Sequence, residues 1–309
     1  MLRIGIDLGG TKTEGVVIDE RGTVLSRQRR PTPVADGYDA ILTNIAALVA
    51  ELEQIAGRRC RVGIGTPGAL STRTGRLKNS NTTCLNGRSI LQDIEHRLAR
   101  PIKIANDANC FTLSEARDGA GRDAPIVFGV ILGTGVGGGI VAHGRLIAGH
   151  HHIAGEWGHN VLEGDGPACY CGKRGCVETF LSGPGLVREY RASGGGDAAP
   201  ADIVTRAGSG EKTAASVLER YMDRFGRAMS VVVNILDPDV IVLGGGLSNI
   251  DALYTVGRAQ LARYVFAAHG ARPEPIDSDL STPIRRNHHG DSSGVRGAAQ
   301  LWEPGDDEK

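Results

Sequence analysis

The chain has 309 residues, 35 basic and 35 acidic side chains, 40% apolar residues and 45 glycines. That length points to two domains, each with a real core, and the neutral balance argues against a nucleic-acid partner. No run approaches the ~18 apolar residues of a membrane span, and the start lacks a signal-type apolar stretch, so no membrane partner and a cytoplasmic location are expected.

The first thirty residues read as a β-meander: strand Leu2 to Asp7, glycine turn Leu8 to Thr13, strand Glu14 to Ile18, then a turn at Glu20-Arg21-Gly22. From Tyr38 to Ile55, apolar residues Ile41, Ile45, Leu48, Val49, Leu52 and Ile55 recur three or four apart, which predicts an amphipathic helix packed on the sheet. Short strands are expected over Val62 to Thr66 and Ile102 to Ala105. The second half repeats the theme with strand Pro125 to Leu132, glycine turn Gly133 to Gly139 and strand Ile140 to Ala142, which suggests duplication. Gly183 to Ala201, rich in Gly, Ala and Ser, reads as a mobile loop. A helix over Lys212 to Leu236 leads through Asp237-Pro238 into strand Val240 to Leu243 and Gly244-Gly245-Gly246. The acidic end Asp306-Asp307-Glu308 reads as a frayed tail.

Three segments suit a nucleotide. Asp7-x-Gly9-Gly10-Thr11-Lys12 offers open backbone amides, a hydroxyl and a lysine for a phosphate chain, with an acid placed for hydrated Mg²⁺. Gly133-Thr134-Gly135 repeats that chemistry, and Gly244-Gly245-Gly246 again follows an apolar strand. A plain glycine turn with a solvated Lys12 also fits the first segment alone. No P-loop motif occurs, and the Gly-x-Gly-x-x-Gly at Gly133 is followed by strand rather than helix, against a Rossmann reading.

Asn106-Asp107-Ala108-Asn109 follows a short strand, where Asp107 can serve as the base that phosphoryl transfer to a hydroxyl requires; a helix N-cap is the alternative use. Glu156-Trp157-Gly158-His159 is followed by Cys169, Cys171, Cys176 and Glu178. One histidine and three thiolates suit tetrahedral Zn²⁺, and four protein ligands make a closed, structural site that would fix the loop carrying Glu156 and Glu178. His150-His151-His152 reads as solvated loop histidines. No role is assigned to Cys84.

Asp7 to Lys12, Asn106 to Asn109, Ala154 to His159 and the cysteine cluster through Glu178 together resemble the ROK family of sugar kinases and repressors, over Met1 to about Trp302. Lys78-Asn79-Ser80-Asn81-Thr82-Thr83, Cys169 to Cys176 and His289 to Gly297 look most like its bacterial fructokinase/mannokinase branch; the N-acetylglucosamine kinase branch is similar too. The resemblance implies an actin/hexokinase-type (RNase H-like) duplicated α/β fold of two domains around a cleft. Residues 1–117 would form the first domain, joined by a last helix at about 294–302, and residues 118–293 the second, larger domain with the zinc loop. It implies Asp107 as catalytic base, and Asn106, Glu156, His159 and Glu178 as sugar contacts. His159, Cys169, Cys171 and Cys176 would be zinc ligands, with one His159 ring nitrogen on zinc and the other free for a hydroxyl. Asp7, Gly9, Gly10, Thr11, Lys12, Gly133, Thr134, Gly135, Gly244 and Gly245 would lie in ATP-binding turns, and the family favours a homodimer.

The activity expected is ATP- and Mg²⁺-dependent phosphorylation of the 6-hydroxyl of a hexose. The resemblance to the fructokinase/mannokinase branch implies fructose first, with mannose and glucose as weaker substrates, and the amides and hydroxyls crowded over Asn79 to Asn86, where Asn81 can hold a ring hydroxyl, favour a plain hexose over an N-acetyl sugar. N-acetylglucosamine is the alternative substrate. A sugar-responsive regulator is the distant alternative, disfavoured because Asp7 stands almost at the start, leaving no room for a preceding helix-turn-helix domain.

Overall fold

Alternation of Ile4, Ile6 and Leu8 with polar or small residues favours a strand at the start, and the chain, seen in a computed structural model that describes residues 2–266 and 282–302, begins with one. The acidic end at Asp306 lies outside the described residues. The strands β1 (Arg3–Leu8), β2 (Lys12–Ile18) and β3 (Val24–Pro31) form the expected meander, with Asp7 opposite Glu14. Next, α1 (Tyr38–Ala56) buries Ile41, Ile45, Leu48, Val49 and Leu52 as its periodicity requires, while Ile55 in its last turn is 51% exposed. Then come β4 (Arg61–Thr66), the small hairpin of β5 (Ala69–Leu70) and β6 (Leu77–Lys78), α2 (Ile90–Leu98), β7 (Lys103–Asn106) and α3 (Asp107–Arg117).

The first sheet has the order β3-β2-β1-β4-β7, with β4 and β7 added in parallel. Ile4, Ile6, Val17 and Ile64 share one core with α1. Val16 and Ile18, on the other face of β2, meet Val295 and Ala299 of the C-terminal helix Ser293–Ala299. That helix lies so close that a Cβ on Gly5 would stand 2.0 Å from the Val295 carbonyl oxygen, and one on Gly63 1.9 Å from that of Ala298.

The second half contains β8 (Ile126–Leu132), β9 (Val136–Ala142), β10 (Arg145–Leu146), α4 (Val177–Leu181), α5 (Gly183–Ala192), α6 (Pro200–Gly208), α7 (Lys212–Leu236), β11 (Val240–Gly244), α8 (Val256–Tyr264) and β12 (Ile284–Arg286). Its sheet has the order β10-β9-β8-β11-β12, with β11 parallel to β8 and β12 parallel to β11. Both sheets thus consist of three chain-consecutive neighbours extended by two parallel strands, which is the duplication that the paired glycine turns suggest. By contact the chain divides into a unit of Met1–Asp123, Gly139–Gly155 and His288–Lys309 and a unit of Ala124–Gly138 and Glu156–Asn287.

Two local expectations need correction. The turn after β8 ends at Gly135, because β9 already begins at Val136 and carries Gly137, Gly138 and Gly139 within the strand. Gly183 to Ala201 is mostly helical. Ser182 caps α5 by accepting from the Gly185 N–H (3.1 Å), Pro184 sits in the first turn where a missing N–H costs nothing, and Tyr190 anchors the helix in the core. Only residues 193–199 lie between α5 and α6. Among the described residues, no helix is long and apolar enough to cross a membrane.

Candidate active site

In the first unit, the turn between β1 and β2 is closed by the Gly9 N–H donating to the Lys12 carbonyl (3.0 Å). It is braced from outside by Thr32, whose hydroxyl donates to the Gly9 carbonyl (2.8 Å) and lies 2.9 Å from the Thr13 hydroxyl. Gly10, Thr11 and Lys12 are exposed. Asp7 ends β1. Burial first, then the charges of Asp107 and Glu14, raise its carboxyl to about 7, against the pull of Lys12 and Arg29. Glu14 is itself buried and held by the Arg27 and Arg29 guanidinium groups.

Asn106 ends β7 and caps α3: its side-chain oxygen accepts from the Ala108 N–H (2.9 Å) and the Asn109 N–H (3.4 Å), while its amide donates to the Gly68 carbonyl (3.2 Å). Capping by Asn106 thus fixes Asp107 at the first position of the helix. Burial raises the Asp107 carboxyl, offset in part by the Ala108 N–H and the Asn106 side chain. Asn81 is exposed on the loop after β6. Near it one amide and one hydroxyl are used internally: Asn86 accepts from the Ser80 N–H and donates to the Ser80 carbonyl (both 2.9 Å), and the Ser80 hydroxyl accepts from the Thr82 N–H (3.1 Å).

In the second unit, Glu178 in the first turn of α4 accepts the Val136 N–H (2.9 Å) beside the Gly133-Thr134-Gly135 turn. The fit is tight, because a Cβ on Gly135 would stand 2.7 Å from that carboxylate. Gly244 ends β11, and Gly245 follows at φ +80, packed so that a Cβ would meet the Leu132 carbonyl oxygen at 2.4 Å. The Glu156–His159 segment is pinned on β9 by the Trp157 indole N–H donating to the Gly137 carbonyl (3.1 Å).

The donor atoms of His159, Cys169, Cys171 and Cys176 all lie within 4.8 Å of one another. Cys171 and Cys176 sulfurs are 3.6 Å apart, as are the Cys169 sulfur and His159 Nδ1. Tetrahedral bonds of ~2.3 Å to sulfur and ~2.0 Å to nitrogen place ligand atoms roughly 3.6 to 3.8 Å apart, so the group could hold a metal ion of that kind. Burial, then the Cys171 and Cys169 sulfurs, push the Cys176 thiol up to about 12, a concentration of thiols that a cation would relieve. All six cysteines are free.

Sequence reasoning missed Tyr170. Its hydroxyl lies 3.0 Å from His159 Nε2 and the two rings meet edge to face, so the second ring nitrogen, expected to be open to a sugar, is occupied by this phenol. Burial, then the charges of Glu178 and Glu156, raise the Tyr170 hydroxyl to about 12, so those carboxylates and Tyr170 form one electrostatic neighbourhood. Its position between two zinc-type cysteines was the only signal. Of the loop histidines, His150 and His151 are exposed, while His152 Nδ1 lies 3.1 Å from the Leu70 carbonyl.

The architecture is that of a two-domain α/β kinase of the actin-like class, and four similarities agree. The ROK family model matches residues 3–304. An N-acetyl-D-glucosamine kinase of Escherichia coli is 38% identical over 307 residues, covering 96% of this chain and 98% of that one. A ROK hexokinase from Thermus thermophilus superposes with TM-score 0.82 at 30% identity, covering 97% of each chain. A ROK family glucokinase from Streptomyces griseus, in complex with glucose and AMPPNP, gives 0.77 at 28% identity over 97% of this chain and 99% of that one. The chain belongs to the ROK family.

Proposed function

We propose that this protein is a sugar kinase that transfers the γ-phosphoryl group of ATP to the 6-hydroxyl of N-acetylglucosamine. The observation that carries the substrate is the 38% identity to an N-acetylglucosamine kinase along nearly the whole chain. The argument for fructose loses its footing in the loop after β6, where Asn86 and Ser80 satisfy each other and Thr82. That polarity serves a turn and favours no particular sugar.

In this reading Asp107 accepts the proton of the sugar hydroxyl, and its burial moves its carboxyl toward the working range of a general base. Asn106 fixes Asp107 through the helix cap, and Asn81, Glu156 and Glu178 are the sugar contacts, with His159 contributing through Tyr170. Gly9 to Lys12, Gly133 to Gly135 and Gly244-Gly245 hold the phosphates. Mg²⁺ supplies charge neutralisation on the β- and γ-phosphates, with Asp7 as the nearby acid. Zinc is structural, held by His159, Cys169, Cys171 and Cys176, and stiffens the loop between Glu156 and Glu178.

The test is a panel of N-acetylglucosamine, fructose, mannose and glucose with Mg-ATP, with products identified by NMR. N-acetylglucosamine should give the highest kcat/KM. A higher value for fructose would overturn the substrate and leave the kinase standing; no sugar-dependent ADP release with any of the four would overturn the kinase.

A further inference from the structure

The second unit contains a cavity of about 710 Å³, within the range of small-molecule sites. Gly133 and Thr134 of the β8–β9 turn line it at one side, and Gly246, directly after Gly244-Gly245, lines it at another. If those turns hold phosphates, the nucleoside of the same molecule falls in this cavity. Its walls are Pro184, Val187, Pro200, Val204, Leu247 and Ile250.

Two helices begin on this cavity, and helix starts normally leave N–H groups free to read acceptors. Here they are mostly spent or missing. The Gly183 N–H donates to the Gly133 carbonyl (2.8 Å), that of Gly185 to the Ser182 hydroxyl (3.1 Å) and that of Ala199 to the Asp202 carboxylate (3.2 Å). Pro184 and Pro200 have none. Among the described residues, the side-chain polar groups on the wall are the Thr134 hydroxyl, on the turn after β8, and Asn249, whose amide donates to the Gly246 carbonyl (3.3 Å).

Adenine and guanine have opposite donor and acceptor patterns at N1 and at position 6. A site rejects one strongly only when its own buried groups pair with the other and are left unpaired by the exchange. Among the described residues, this wall meets the base with apolar side chains, and its two polar side chains, Thr134 and Asn249, are exposed rather than buried. Building on the kinase reading, we propose that the phosphoryl donor is a purine nucleoside triphosphate in general, with GTP and ITP serving beside ATP. In each case the bond from the γ-phosphorus to the diphosphate leaving group breaks, the bond to the sugar oxygen forms, and the proton passes to Asp107. The base takes no part.

The experiment measures sugar phosphate formed from ATP, GTP and ITP at saturating sugar. Enclosure without edge readout discriminates by no more than ~10²-fold, so kcat/KM for GTP and ITP should fall within that factor of ATP. A larger preference for ATP overturns the proposal and leaves the kinase intact, whereas no sugar phosphate from any donor, ATP included, removes the kinase reading and this inference with it. Asn249→Ala should leave the ratio of ATP to GTP unchanged; a ratio that collapses or reverses shows that Asn249 reads the base edge and overturns the proposal. Ala201→Trp, at an exposed cavity position, should raise KM for the three nucleotides by the same factor, to within about threefold, with sugar KM unchanged. An effect on sugar KM, or on one nucleotide alone, places the base elsewhere.

Discussion

Replacing Asp7 by Asn should make this protein more stable at neutral pH while removing its phosphoryl-transfer activity. In the folded chain the Asp7 carboxyl is raised from the ordinary 3.8 to about 7, by burial above all and then by Asp107 and Glu14. A carboxyl that binds its proton more tightly folded than unfolded destabilises the fold as that proton leaves, so stability is lost as pH rises from 3.8 through about 7. At ~1.4 kcal/mol for each tenfold change in proton affinity, the full difference amounts to at most about 4 kcal/mol. Asparagine keeps the uncharged shape at every pH. Urea unfolding of both proteins in EDTA should therefore give equal stabilities near pH 3.5 and a gap opening to roughly 3 to 4 kcal/mol near pH 8. A variant no more stable than wild type at the higher pH would show that Asp7 carries its charge without penalty and refute the reasoning. Retained kinase activity would separately remove Asp7 from the Mg²⁺ site.

Asp107→Asn keeps shape and most hydrogen bonding, so kcat should fall by ~10² to 10⁴ while calorimetry still finds sugar binding; near-normal turnover would deny it the base's role. Cys171→Ser and Cys176→Ser should each lose zinc, stability and activity together, since thiolate ligation makes the ion part of the folded state. Metal analysis finding no zinc in fully active wild type would contradict this. Gly135→Ala sets a Cβ 2.7 Å from the Glu178 carboxylate and should break its bond to the Val136 N–H. Loss of a charged hydrogen bond of ~1.5 to 3 kcal/mol predicts sugar binding weaker by about tenfold or more, and unchanged affinity by titration would show that Glu178 relaxes freely.

What the sequence determined by itself lies close together along the chain. The period of α1, the glycine turns after β1 and β8, the Asn106-Asp107 step from strand to helix and the His159–Cys176 donor spacing all depend on neighbours within a few turns or one loop. Local steric and periodic rules suffice for them. The same rules misjudged Gly183 to Ala201, where composition suggested a loop but the Ser182 cap and the buried Tyr190 side chain secure a helix. They do not decide Asn79 to Asn86, because whether an amide faces a ligand or its own loop, as that of Asn86 does, depends on how the loop closes. Only the tertiary structure set the Tyr170 phenol on His159, raised Asp7 beside Asp107 one hundred residues away, and formed an apolar cavity from the starts of α5 and α6 and the segment after β11. Burial and charge at a point are sums over everything that surrounds it in space, and most of those neighbours are remote in sequence.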